Sequence, residues 1–160
     1  MSLHPTERGA AAVGQLHAID HWQALLVRHL RFWCEGPATR NDVRRFWQEH
    51  AHPAAGQETL ARFDALVQQF LSCARRPLVR HGTGCDCLGA DEAVFLQIVT
   101  DASEGRLDDA VMLSGYILMP AHAEHVALLA GQVGIDFRTG VSGQMEQSRM
   151  RTSAMPYVNH

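Results

Sequence analysis

Apolar positions recur at helical spacing along most of this chain, and glycine, proline and polar clusters cut the pattern into segments. Leu16, Ile19, Leu26, Leu30 and Trp33 stand three, four or seven apart, with Trp22 and Leu25 widening the stripe. They predict one long helix over 10–34, preceded by an irregular leader over 1–9. Glu35-Gly36-Pro37 ends it, because Gly accommodates the turn out of a helix and Pro cannot continue one. A second helix is predicted from Thr39, where Thr39 and Asp42 stand at capping-box spacing and Val43, Phe46 and Trp47 share a face. The third, over 57–75, has the cleanest stripe (Leu60, Phe63, Val67, Phe70, Leu71, Ala74) and closes at Pro77.

Asp91 has the side chain of an N-cap, and Val94, Phe95, Ile98, Val99 and Ala102 follow it as a fourth helix. Residues 107–118 are apolar nearly all round, which predicts a central, buried helix; Tyr116–Met119 is short enough to read as a strand instead. Pro120 suits the first turn of a sixth helix running to 131–134. From Arg138 onward Gly, Ser, Gln, Arg and Met show no sustained period, so 138–160 is expected to be an extended or flexible C-terminal tail on a helical domain over 1–137. The fold class expected is all-α: a single-domain bundle of about six helices, with an irregular His/Cys loop between the third and fourth.

Composition narrows the setting. The 160 residues suffice for one domain with its own core, and 46% hydrophobic with 19% charged residues is the balance of an ordinary globular protein. No apolar run approaches the roughly 20 residues of a membrane span, and the first residues lack the basic and apolar regions of a secretory signal. A cytoplasmic protein with no membrane partner is expected. The formal net charge of −3 argues against nucleic acid, whose binders display a basic face.

The candidate chemistry lies in residues 81–92. His81, Cys85 and Cys87 fall within seven positions, among Gly82, Gly84 and Gly89, just before the fourth helix. Thiolate and imidazole donors on a tightly turning loop can converge on one metal ion, and zinc is the expected cofactor. A tetrahedral site needs a fourth donor. His122 is preferred, because Val126, Leu129 and Val133 continue its line on the predicted sixth helix; His125, three residues on, is the alternative. Cys34 and Cys73 offer an all-thiolate completion, which would suit iron or an iron–sulfur cluster as well as zinc. If one coordination position is open, Glu124 or Asp86 is a candidate base for a metal-bound water, so enzymatic activity stays an open question.

Two other classes compete. Cys85 and Cys87 can be a redox pair cycling between dithiol and disulfide, helped by a helix N-terminus that favours the thiolate. Alternatively the chain is a helical protein–protein interaction module without chemistry, with a homodimer as the expected assembly. His17 and His21, four apart, and His29 read as partly exposed helix histidines. Arg40, Arg44 and Arg45, and Arg75, Arg76 and Arg80, form two groups able to meet an anion, though solvated helix faces also account for them. No phosphate loop, nucleophile elbow or His-Glu-x-x-His motif occurs.

Overall fold

The computed structural model describes residues 5–51 and 53–153. The fold is mostly helical, with a two-stranded sheet beside the helices. A short α1 (Pro5–Ala10) leads into β1 (Ala12–Gln15), a single 3-10 turn and α2 (His21–Glu35). Then come α3 (Pro37–His50), α4 (Pro53–Cys73), β2 (Cys87–Gly89), α5 (Ala90–Ser103), α6 (Leu107–Ile117) and α7 (Ala123–Ser153). The bundle has α5 packed against both α6 and α7, α2 against α3, and α4 against α7. Leu26, Phe63, Leu66, Ile98, Ala127, Val133 and Phe137 meet in its interior, fully buried. No helix among the described residues is long and apolar enough to cross a membrane.

The single helix expected over 10–34 is two different things. Its first half is β1 and the 3-10 turn Leu16–Ala18, and only from His21 is the chain α-helical. Asp20 starts that helix, its backbone N–H donating to Gln23 Oε1 at 3.1 Å. Leu16 is buried as the helical pattern required, but from the 3-10 turn. The strand before it exists because β2 lies alongside, so spacing within the segment could not reveal it. The second helix likewise starts earlier than expected. Pro37 occupies its first turn, and the Thr39 hydroxyl donates backward to Phe32 O at 2.6 Å instead of capping.

The segment expected to be central and buried is a surface helix. On α6 only Ala110 and Ser114, four apart, are buried, whereas Met112 and Tyr116 are 56% and 72% exposed. Ala110 and Ser114 are the centre of the face that packs, Leu107, Val111, Leu113 and Ile117 flank it half-buried, and Met112 and Tyr116 point outward. Residues 116–119 contribute one antiparallel bridge, Leu118 with Ala74, rather than a strand.

The largest difference is at the C-terminus. Helix α7 runs on through Arg138 to Ser153, where the sequence predicted an extended tail; residues 154–160 lie outside the described residues. Phe137 and Val141 are buried, and Asp136 holds Arg62 in a two-pronged ion pair at 2.6 and 3.1 Å. Glycines hid this helix, since each lowers helix propensity. Here they let it approach its neighbours: a Cβ on Gly131 would meet Ala102, and one on Gly140 would lie 2.6 Å from the Trp47 ring. Trp47 is itself buried and cannot swing away. Gly140→Ala is therefore expected to destabilise the fold by about 1–3 kcal/mol despite its better helix propensity. Urea denaturation followed by tryptophan fluorescence measures this, and a stabilised variant would place 138–143 away from the core.

Candidate functional site

The segment between α4 and α5 carries His81, Cys85 and Cys87, and three supports hold it. The first is the sheet. Antiparallel pairing sets Ala12 opposite Gly89, Gly14 opposite Leu88 and Gln15 opposite Cys87. Hydrogen bonds from Leu16 N to Asp86 O and from Ala90 N to Ala11 O extend the pairing at both ends. The second is local: Cys85 N donates to Gly82 O at 3.1 Å, closing a turn.

The third support is a buried charge pair. Arg31 of α2 and Glu92 of α5 are 0% and 1% exposed, and the guanidinium grips the carboxylate with bonds of 2.7 and 2.8 Å. Its remaining donors reach the carbonyls of Gly82, Cys85 and Cys87. Glu92 in turn accepts from the backbone N–H groups of His81 and Gly89. Burial pushes the Glu92 carboxyl upward, but bonds from Arg31, Gly89 and His81 outweigh it and leave its pKa below the usual value. The adjacent Asp91 acts alike. Burial is overcome by two bonds from Arg76 and one from Val79 N, and its pKa is lowered too. Asp91 is thus a buried anchor for the segment, not the N-cap expected from its position; Gly89 precedes the helix.

On this platform His81 and Cys85 face each other, with Nδ1 3.4 Å from Sγ. The other ring nitrogen, Nε2, lies 2.8 Å from Ala10 O. A carbonyl can only accept, so Nε2 carries a proton and Nδ1 is the nitrogen presented to sulfur. The hydrogen bond to His81 is the largest influence lowering the Cys85 thiol pKa, followed by the Cys87 backbone N–H. The same Cys85 contact leads the causes raising the His81 pKa. The two shifts agree in favouring a thiolate beside an imidazolium. Cys87 receives a bond from the Gln15 side chain at 3.7 Å. All four cysteines are free, and Cys85 and Cys87 are half-buried. Gly89 makes room for this arrangement, because a Cβ there would stand 2.7 Å from the His81 ring.

His122 lies half-buried in the turn Pro120–His122 and His125 is exposed on α7, so the inward pair expected on that helix is not formed. Cys34 and Cys73 sit near the ends of α2 and α4. Among the described residues no three or more His, Cys, Asp or Glu side chains converge as a metal's donor set would. His17 and His21 are exposed but separated by the start of α2, and His29 is buried rather than partly exposed. The residues missed by sequence reasoning are Arg31, Glu92 and the Ala10 carbonyl. The first left one signal: Arg31 stands four after the buried Val27, a charge within an apolar stripe.

A half-exposed thiol beside an imidazole, itself oriented by a third group, is the constellation of an activated sulfur nucleophile. Comparison with family models, curated proteins and solved structures finds no match for this chain.

Proposed function

We propose that the protein is a thiol redox protein in which Cys85 and Cys87 cycle between dithiol and disulfide. The observation that carries this reading is the placement of His81 Nδ1 3.4 Å from Cys85 Sγ while Nε2 is tied to Ala10 O. The Cys85 thiolate attacks one sulfur of a partner disulfide, whose S–S bond breaks; the departing thiolate takes a proton from the His81 imidazolium. Cys87, deprotonated to water, then attacks the Cys85 sulfur and releases the partner as its second thiol. Two electrons pass to the partner, and the Cys85–Cys87 disulfide remains. Cys85 and Cys87 are near neighbours: the Cys87 backbone N–H and its side chain both act on the Cys85 thiol and lower its pKa, after the larger effect of His81. A reversible dithiol–disulfide pair of this kind suits a carrier or sensor in a reducing compartment such as the cytoplasm.

Zinc held by His81, Cys85, Cys87 and His122 is the second reading, and it requires these side chains to close on the ion, since they do not converge without it. It draws on the same Nε2–H···O=C bond, since a ligating imidazole is commonly held this way through its other nitrogen.

One experiment separates them. Zinc content is measured on the purified protein, and Cys85 alkylation by iodoacetamide is followed against pH in a Cys34→Ser/Cys73→Ser background. The redox reading expects no stoichiometric metal and a reactive thiol well below the ordinary midpoint of about 8.5. It also expects a return toward that midpoint in His81→Ala, and a Cys85–Cys87 disulfide in equilibrium with glutathione. An ordinary thiol midpoint in the parent, with no disulfide at any glutathione ratio, sinks it. One zinc per chain, lost in Cys85→Ser/Cys87→Ser, selects the second reading.

A further inference from the structure

One arginine from each of two groups that stand far apart in sequence, Arg40 and Arg80, lines a shared cavity. A hollow of about 260 Å³ opens between α2, α4, α5 and the segment before His81, with Leu30, Val67, Phe70 and Phe95 in its apolar wall. Arg40 of α3 and Arg80 of the segment line it together with Cys34. Arg80 donates to Cys34 O at 3.2 Å, and both guanidiniums act on the Cys34 thiol, so they converge on the same place. Arg40 spends its Nε on Trp33 O and lies 5.5 Å over the Trp33 ring; it has no carboxylate partner among the described residues. Arg80 pairs with Glu35, which is 49% exposed. The two carboxylates in the wall itself, Asp91 and Glu92, are neutralised by Arg76 and Arg31. The result is an apolar hollow with positive charge at one side and no unbalanced negative charge.

We propose that this cavity binds a small amphipathic carboxylate, its apolar body among Leu30, Val67, Phe70 and Phe95 and its head between Arg40 and Arg80. Guanidinium groups match a carboxylate in charge and in paired hydrogen-bond geometry. An apolar pocket with a few convergent polar groups is the usual form of a small-molecule site. The site adjoins the Cys85–His81 platform, sharing Glu92 with it, but does not depend on thiol chemistry there. Glu35 competes with the ligand head for Arg80, so its charge weakens binding.

The test uses octanoate as probe and octanol as its uncharged control, on the full chain carrying Cys73→Ser/Cys85→Ser/Cys87→Ser. Alkylation by N-ethylmaleimide then reads Cys34 alone, inside the cavity. Octanoate is expected to slow that reaction saturably, octanol far less. By calorimetry, Arg40→Gln/Arg80→Gln is expected to weaken octanoate by about tenfold or more, the loss of charge-assisted bonds, and to leave octanol unchanged. Glu35→Gln is expected to tighten octanoate. All three side chains lie at the surface or half-buried, and an unchanged thermal midpoint shows that the fold is intact. Failure of octanoate to protect Cys34 overturns the proposal. So does protection that the arginine substitutions leave untouched, which would mean an apolar hollow without a head site.

Discussion

Arg31→Ala is expected to lower the stability of the fold by about 3–5 kcal/mol, because it strands the Glu92 carboxylate in the interior without its countercharge. Glu92→Ala should cost a similar amount, leaving a fully buried guanidinium bonded only to carbonyls. The double replacement Arg31→Met/Glu92→Leu is expected to cost less than either single one. It removes both charges, and the desolvation that the ion pair has to offset disappears with them. At roughly 2–4 °C per kcal/mol for a chain of this size, each single variant should melt about 6–20 °C below the parent. Thermal and urea denaturation of the three variants measures the pattern. A single-variant loss under about 1 kcal/mol would falsify the buried pair as the platform of the site. The same variants report on chemistry. Arg31 grips the carbonyls of Gly82, Cys85 and Cys87, so its removal should also slow Cys85 alkylation at neutral pH.

Acidification from pH 6.5 to pH 4.5 is expected to remove about 2 kcal/mol of stability through His29 alone. Its ring is 5% exposed, among Phe46, Trp47, Phe63 and Phe137, with centroids 5.2–6.3 Å away. Nδ1 donates to Leu25 O at 2.9 Å and Nε2 is buried without a hydrogen-bond partner. Burial lowers the His29 pKa from 6.5 to about 4. The folded state therefore resists a proton that the unfolded chain accepts. The stabilisation is complete above pH 6.5 and is lost as pH falls toward 4. The lowered carboxylates of Asp91 and Glu92 act in the same direction, but only below their unfolded values near 4. The raised His81 acts in the opposite direction, its contribution fading as pH rises above 6.5. His29→Leu should flatten the profile between pH 6.5 and 4.5. If urea midpoints of the parent do not change over that interval, or the His29→Leu profile is equally steep, His29 is not buried as described.

Helix class and the main buried faces were legible because a 3.6-residue period is a local property. Phe63, Val67 and Phe70 on α4, and Phe95, Ile98 and Val99 on α5, are buried where their spacing placed them. The sequence gathered His81, Cys85 and Cys87 on one glycine-rich loop as a metal set or a Cys85/Cys87 redox pair; that His81 faces Cys85 came only from the fold. The misreadings share one cause. Ala12–Gln15 is a strand only because Cys87–Gly89 lies beside it, 77 positions on where Ala12 pairs with Gly89, counting 89 − 12. The glycines of α7 look like breakers until Ala102, Ser103 and Trp47 are seen pressed against them.

By itself, then, the sequence determined that this chain forms a helical bundle with a thiol- and imidazole-bearing segment before one helix, because periodicity and turn residues are carried by neighbours along the chain. The tertiary structure decided which thiol faces the imidazole and what holds the two together. The Ala10 carbonyl orients His81 from 71 residues away, and Arg31 joins three loop carbonyls to Glu92 across 61 residues. Partners at such separations leave no period to read. They are chosen by which groups must find a hydrogen bond once water is excluded, and only the packed fold specifies that.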